Sequence, residues 1–205
     1  VARNQHFLHT DGNPEKAINQ FSLSSYGRTM SCHMPFLVNS GNFPDNQLFG
    51  FCSSLSNSWG GSLLKYSVYD DPRKTLESLQ EDQGLVQLIG DPGISHPSGA
   101  NWIEALGAWK QPTILIATPT PKGEIPGTAM AYTALCREFS VPLLGLVQYG
   151  GCWDPNLRKL DGLPWCGWLP ESLDRNPNEN NLIEESFSVD EIIFILRQRL
   201  KNTPR

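Results

Sequence analysis

The segment from Asn101 to Glu171 constrains this chain most, because its apolar pattern alternates between helix and strand spacing as in a parallel α/β protein. Residues 101–109 (Asn-Trp-Ile-Glu-Ala-Leu-Gly-Ala-Trp) carry apolar side chains at helical spacing, and Gln111-Pro112 stops them. Residues 113–118 (Thr-Ile-Leu-Ile-Ala-Thr) form the short apolar run that a strand buried on both faces requires. Gly127 to Phe139 reads as a helix, Val141 to Tyr149 as a strand, and Trp165 to Pro170 as a further apolar piece. Upstream, Gly84 opens a strand over Leu85–Ile89, and Leu48–Cys52 reads as the first strand. Strands at 48–52, 85–90, 113–118, 142–148 and 165–169 are therefore expected in one mostly parallel sheet with helices on both faces. The 113–118 strand belongs at its centre.

The rest of the chain divides around this core. Residues 1–46 are polar and rich in Asn, Ser, Gly and Pro, so they read as an irregular arm preceding a domain over 47–205. A Ser/Gly turn over 53–62 leads into an amphipathic stretch from Leu63 to about Gln80, broken by Asp70-Asp71-Pro72. Residues 171–187 read as a polar loop. Ser188-Val189-Asp190-Glu191 is a capping box for a last helix with a wide apolar side. Its basic last turn (Arg197, Arg199, Lys201) suits the helix dipole and reads as a helix end, not as a nucleic-acid patch.

Composition narrows the class. The 205 residues suffice for one domain with a proper core, and 18% charged residues at a net charge of −5 leave no basic footprint for nucleic acid. No uninterrupted apolar run is long enough for a membrane span, and the first residues do not read as a signal peptide. The five cysteines (Cys32, Cys52, Cys136, Cys152, Cys166) are odd in number and lack paired metal spacing. Cys52 and Cys136 fall in expected core elements, where cysteine behaves as a small hydrophobe. A reducing cytoplasm is the expected compartment.

Several motifs after Trp102 occur in a familiar order. Trp109-Lys110-Gln111-Pro112-Thr113-Ile114-Leu115-Ile116 leads into a buried strand, Thr128–Phe139 follows as a helix, and Val141–Val147 returns as a strand. Gly167-Trp168-Leu169-Pro170 comes last. This succession resembles the C-terminal half of dethiobiotin synthetase, within the P-loop class that includes the ParA and MinD ATPases. The resemblance implies a P-loop NTPase-like fold and a nucleotide site. It also implies that Gly167, Leu169 and Pro170 stand beside the nucleotide base, and that dimers are common.

Upstream, the pattern departs from that family. If 48–52 is the first strand, the phosphate loop is 54–62, with Gly60 at its last glycine and Ser62 at the magnesium-binding hydroxyl. Gly61 then stands where the family has lysine, the point charge that meets the β- and γ-phosphates, and Ser54 replaces the first glycine. The signature lysine of the ParA branch would fall at Leu55. Two readings remain open for this stretch, an ordinary Ser/Gly loop or a P-loop that has lost its chemistry. At the end of the next strand, Ile89 replaces the family's magnesium-holding glutamate. Asp91 can be read as a metal ligand or as part of an Asp-Pro-Gly turn. The adenine-reading asparagine of the family would fall near Gln148 or Tyr149.

Other chemistry is thinner. Cys152 follows a buried strand as a nucleophile would, yet all four histidines precede it and only His96 offers itself as a base. His6 and His9 have metal-compatible spacing without further ligands. Trp153, Trp165 and Trp168 cluster in loops, where tryptophan serves either an interface or the packing of the loops themselves. Two functional classes result. One is a non-catalytic, pseudo-ATPase relative of dethiobiotin synthetase without a cofactor. It would act as a binding or regulatory subunit that meets a protein partner or a second copy through 149–168 or the arm. The other is an ATP-dependent carboxylase or ligase with non-standard phosphate contacts, using Mg-ATP with Ser62, Asp91 and Lys122.

Overall fold

Phe36-Leu37-Val38 is a run of only three fully buried apolar residues, yet it lies at the middle of the sheet. The computed structural model describes residues 34–41, 44–79, 84–171 and 188–203. Strand β1 (Phe36–Asn39) pairs in parallel with β3 (Gly84–Ile89) on one side and with β4 (Thr113–Ala117) on the other. Strand β2 (Ser62–Ser67) flanks β3, while β5 (Leu143–Tyr149) and β6 (Trp165–Leu169) extend the sheet beyond β4. The six strands among the described residues are all parallel, in the order β2-β3-β1-β4-β5-β6. Strand 113–117 is internal, as its continuous apolar run requires.

Alternation along each strand feeds two cores. Phe36, Val38, Leu88, Leu115 and Ala117 pack with α2 (Pro72–Ser78), α3 (Trp102–Ala108) and α4 (Gly127–Glu138). Leu37, Leu85, Ile114, Ile116 and Val147 pack on the other face with α1 (Phe49–Trp59) and α6 (Val189–Lys201). A sixth helix, α5 (Pro155–Leu160), lies in the β5–β6 connection. Helices thus cover both faces of a parallel α/β sheet. No helix among the described residues is long and apolar enough to cross a membrane.

Local chemistry sets the boundaries. The Asp71 side chain accepts from the backbone N–H groups of Arg73 and Lys74, and Pro72 opens α2 where its missing N–H is harmless. Asn101 caps α3 by accepting from the Glu104 N–H. Ser188 and Glu191 form the reciprocal capping box read from the sequence. The basic last turn of α6 is used in packing. The Arg199 guanidinium donates to the carbonyls of Leu144, Pro164 and Trp165 and ties the helix to the amino ends of β5 and β6.

Two segments differ from the sequence reading. Residues 48–52 are not a strand but the start of α1, because Leu48, Phe51, Cys52 and Leu55 are all buried and share one helical face. The strand beside the sheet's centre comes earlier, at 36–39, inside the stretch read as an arm. The amphipathic stretch from Leu63 begins as edge strand β2 and becomes helical only after Asp71. Most of the arm (1–33, with His6, His9 and Cys32) and most of the loop expected over 171–187 lie outside the described residues.

Candidate functional site

The chain leaves β1 through α1 toward β2 at one end of the sheet, and leaves β4 through α4 toward β5 at the other. The loops after β1 and β4 therefore part at the carboxyl edge and leave a crevice, the usual ligand position in open α/β sheets. After β4, Thr120-Pro121-Lys122-Gly123 closes a turn with proline at its second position, and the Gly123 N–H donates to the Thr120 carbonyl. A cavity of about 460 Å³ opens beside this turn, with Thr118, Thr120, Lys122, Gly151, Cys152 and Glu171 among its walls. The hydroxyl oxygens of Thr118 and Thr120 are buried and have no hydrogen-bond partner.

The strand–loop–helix unit in which a phosphate loop would stand is β1, residues 40–48 and α1. The loop expected over 54–62 is instead mostly the body of α1. Residues 40–48 contain no lysine or arginine. They carry Asp45, whose carboxylate accepts from Asn39 Nδ2 at 3.1 Å and from the Gly90 N–H at 2.8 Å. An internal anion thus bridges the carboxyl ends of β1 and β3.

The residues singled out in the sequence separate into two groups. Gly60 is the left-handed C-cap of α1, Gly61 follows it, and Ser62 opens β2, so all three stand at the amino edge of the sheet. Lys122 and Asp91 stand at the opposite, carboxyl edge, and the structure does not bring the two groups together. Asp91 forms a turn in which its Oδ1 accepts from the Gly93 N–H, and Tyr132 on α4 also donates to that oxygen. Burial first, and then this hydrogen bond, raise the Tyr132 phenol above its usual range. Among the described residues, no three His, Cys, Asp or Glu side chains are grouped to hold a metal ion. Gly167 and Leu169 are buried in β6, and Pro170 follows at its carboxyl end.

The centre of polar order at this edge is a residue that the sequence reading passed over. Arg158 on α5 is 6% exposed. It donates from Nε to Gln148 Oε1 at 2.9 Å and from NH2 to the Gly123 carbonyl at 2.8 Å, and it pairs with Asp161 at 3.2 Å. Gln148 in turn donates to the carbonyls of Gly150 and Cys152, so its amide fixes the loop from within and leaves none of its groups to read a base. Trp165 packs edge-on to Trp153 at 5.8 Å and donates to Asp161, while Trp168 donates to the Gly150 carbonyl. The tryptophans therefore pin these loops, and large exposed apolar groups nearby include Leu157 and Leu160.

Cysteine chemistry divides the same way. Cys52, Cys136 and Cys166 are buried thiols. Burial pushes Cys52 up to about 12, with the Asp45 carboxylate adding to it, and pushes the other two to about 11. They are inert. Cys152 is exposed on the cavity wall. His96 Nδ1 is engaged with the Ser98 hydroxyl at 2.8 Å, and among the described residues no hydrogen bond joins His96 to Cys152. The chain matches no protein-family model and no curated protein.

Proposed function

We propose that this chain is a non-catalytic relative of the P-loop ATPases, of the dethiobiotin synthetase kind, that works as a binding or regulatory subunit. The observation that carries the proposal is the Asp45 carboxylate. It already takes the Gly90 N–H and the Asn39 amide, two donors that an incoming phosphate would use, and it would repel that phosphate. Neither ATP nor magnesium is part of this reading. The ATP-dependent ligase alternative needs Ser62, Asp91 and Lys122 around one nucleotide, and Ser62 stands at the far edge of the sheet. The five cysteines, with three buried as free thiols, suit a reducing cytoplasm.

In this reading the chain meets a protein partner or a second copy through 149–168, with the arm over 1–46 as a further contact. Leu157 is 49% and Leu160 is 83% exposed, and Met130 stands beside them along the same groove. Exposed apolar groups clustered in this way favour association. Sedimentation velocity across micromolar concentrations tests it. Self-association is expected, and it should vanish in the Leu157→Glu/Leu160→Glu double variant while stability changes by only about 0.5 kcal/mol, as surface substitutions do. A chain that stays monomeric removes the second copy from the proposal. A double variant that still associates removes the surface.

A further inference from the structure

The geometry points to the cavity between the β4 and β5 loops as a binding site for a small zwitterion, a free amino acid or a dipeptide. This deepens the reading of the chain as a binding subunit and rests on it only for the exclusion of nucleotide. At about 460 Å³ the cavity has the size of small-molecule sites. Its walls are set by two adjacent glycines in left-handed conformation. A side chain on Gly151 (φ +63°) would run into the Pro119 ring, and one on Gly150 (φ +74°) into the Glu171 side chain. Glycine at both positions lets the proline and the carboxylate close on the end of β5.

Among the described residues the charged side chains that line this cavity form no ion pair. Among the described residues the ion pair is Arg158–Asp161, and neither Lys122 nor Glu171 forms one or donates or accepts a side-chain hydrogen bond. One cation and one carboxylate without an ion pair among the described residues therefore border the same space, beside Thr118 and Thr120, whose hydroxyls have no partner among those residues. Buried polar groups in folded proteins are almost always satisfied, and a bound polar ligand is one way to achieve it. Rotation about one Cα–Cβ bond turns a threonine hydroxyl to where its methyl stood. A nucleotide would bring several negative charges to a site whose charged walls, among the described residues, are Lys122 and Glu171. A zwitterion brings one charge of each sign, its carboxylate to Lys122 and its ammonium to Glu171.

Cys152 on the cavity wall supplies the readout. Alkylation by iodoacetamide is followed at Cys152 alone by peptide mass mapping, in the presence of each common amino acid except cysteine, whose own thiol would consume the reagent, and of glycylglycine. At least one is expected to protect, and at about ten times its Kd occupancy alone slows the reaction about tenfold. Butyrate and butylammonium, with one charge each, should not protect. Protection should be lost in Lys122→Ala and in Glu171→Gln and kept in Lys65→Ala. Failure of every amino acid and of glycylglycine to protect overturns the inference, as does equal protection by the single-charge compounds or protection that survives both variants. Protection by Mg-ATP alone overturns both this inference and the nucleotide-free reading. Silence from ATP and amino acids alike overturns only this one.

Discussion

Replacing Arg158 with methionine is expected to destabilise the protein by about 3 kcal/mol, because removing one member of a buried charged network strands the others. Gln148 Oε1, the Gly123 carbonyl and the Asp161 carboxylate each lose a donor in the same substitution. The loss reaches three loops, since Gln148 orients 150–152, Gly123 belongs to the turn after β4, and Asp161 receives Trp165. Arg158→Lys should recover only part of it, because an ammonium cannot reproduce the planar fork that meets three acceptors. Urea denaturation measures both variants. A loss below about 1 kcal/mol for Arg158→Met would show that water replaces the guanidinium at this edge.

Trp102→Ala is expected to cost about 3–5 kcal/mol, the range for emptying a fully buried aromatic site. Trp102 is completely buried, stands 6.0 Å from the Phe36 ring, and donates from Nε1 to the Val68 carbonyl at 3.2 Å. Truncation therefore opens a cavity against β1 and leaves a buried carbonyl without its donor. Trp102→Phe separates the two contributions, since it keeps most of the ring and should lose about 1–2 kcal/mol. Thermal or urea unfolding of the pair checks this. Equal losses for Ala and Phe would assign the whole effect to the hydrogen bond.

The sheet after residue 84 was legible because each strand there is mostly apolar and each helix is bounded by Pro, Gly or a capping side chain. The first third was not. Phe36-Leu37-Val38 is too short for periodicity to mark, and it is buried only because β3 and β4 enclose it from far along the chain. The burial of Leu48, Phe51, Cys52 and Leu55 shows that helical spacing was present there, but Phe49 and Gly50 interrupt it with an alternating look. Placing the first strand too late carried the expected phosphate loop with it, so Gly60, Gly61 and Ser62 fell at the wrong edge. Helix α5 is six residues long and signalled only by Asp154-Pro155, whose carboxylate caps it. Arg158 was missed because buried arginines leave no pattern in sequence. Lys122 lies at the carboxyl edge, since a loop after an internal parallel strand must lie there.

Asp45 itself was not visible as a site residue, because its partners Asn39 and Gly90 come from the ends of two different strands. In the proposed function this carboxylate takes donors that a phosphate would use, and the chain does not bind nucleotide. Titration calorimetry of the full chain with Mg-ATP tests it most directly. Only heats of dilution are expected, with Asn39 and Gly90 each still donating to Asp45; saturable binding in the micromolar range would overturn the proposal.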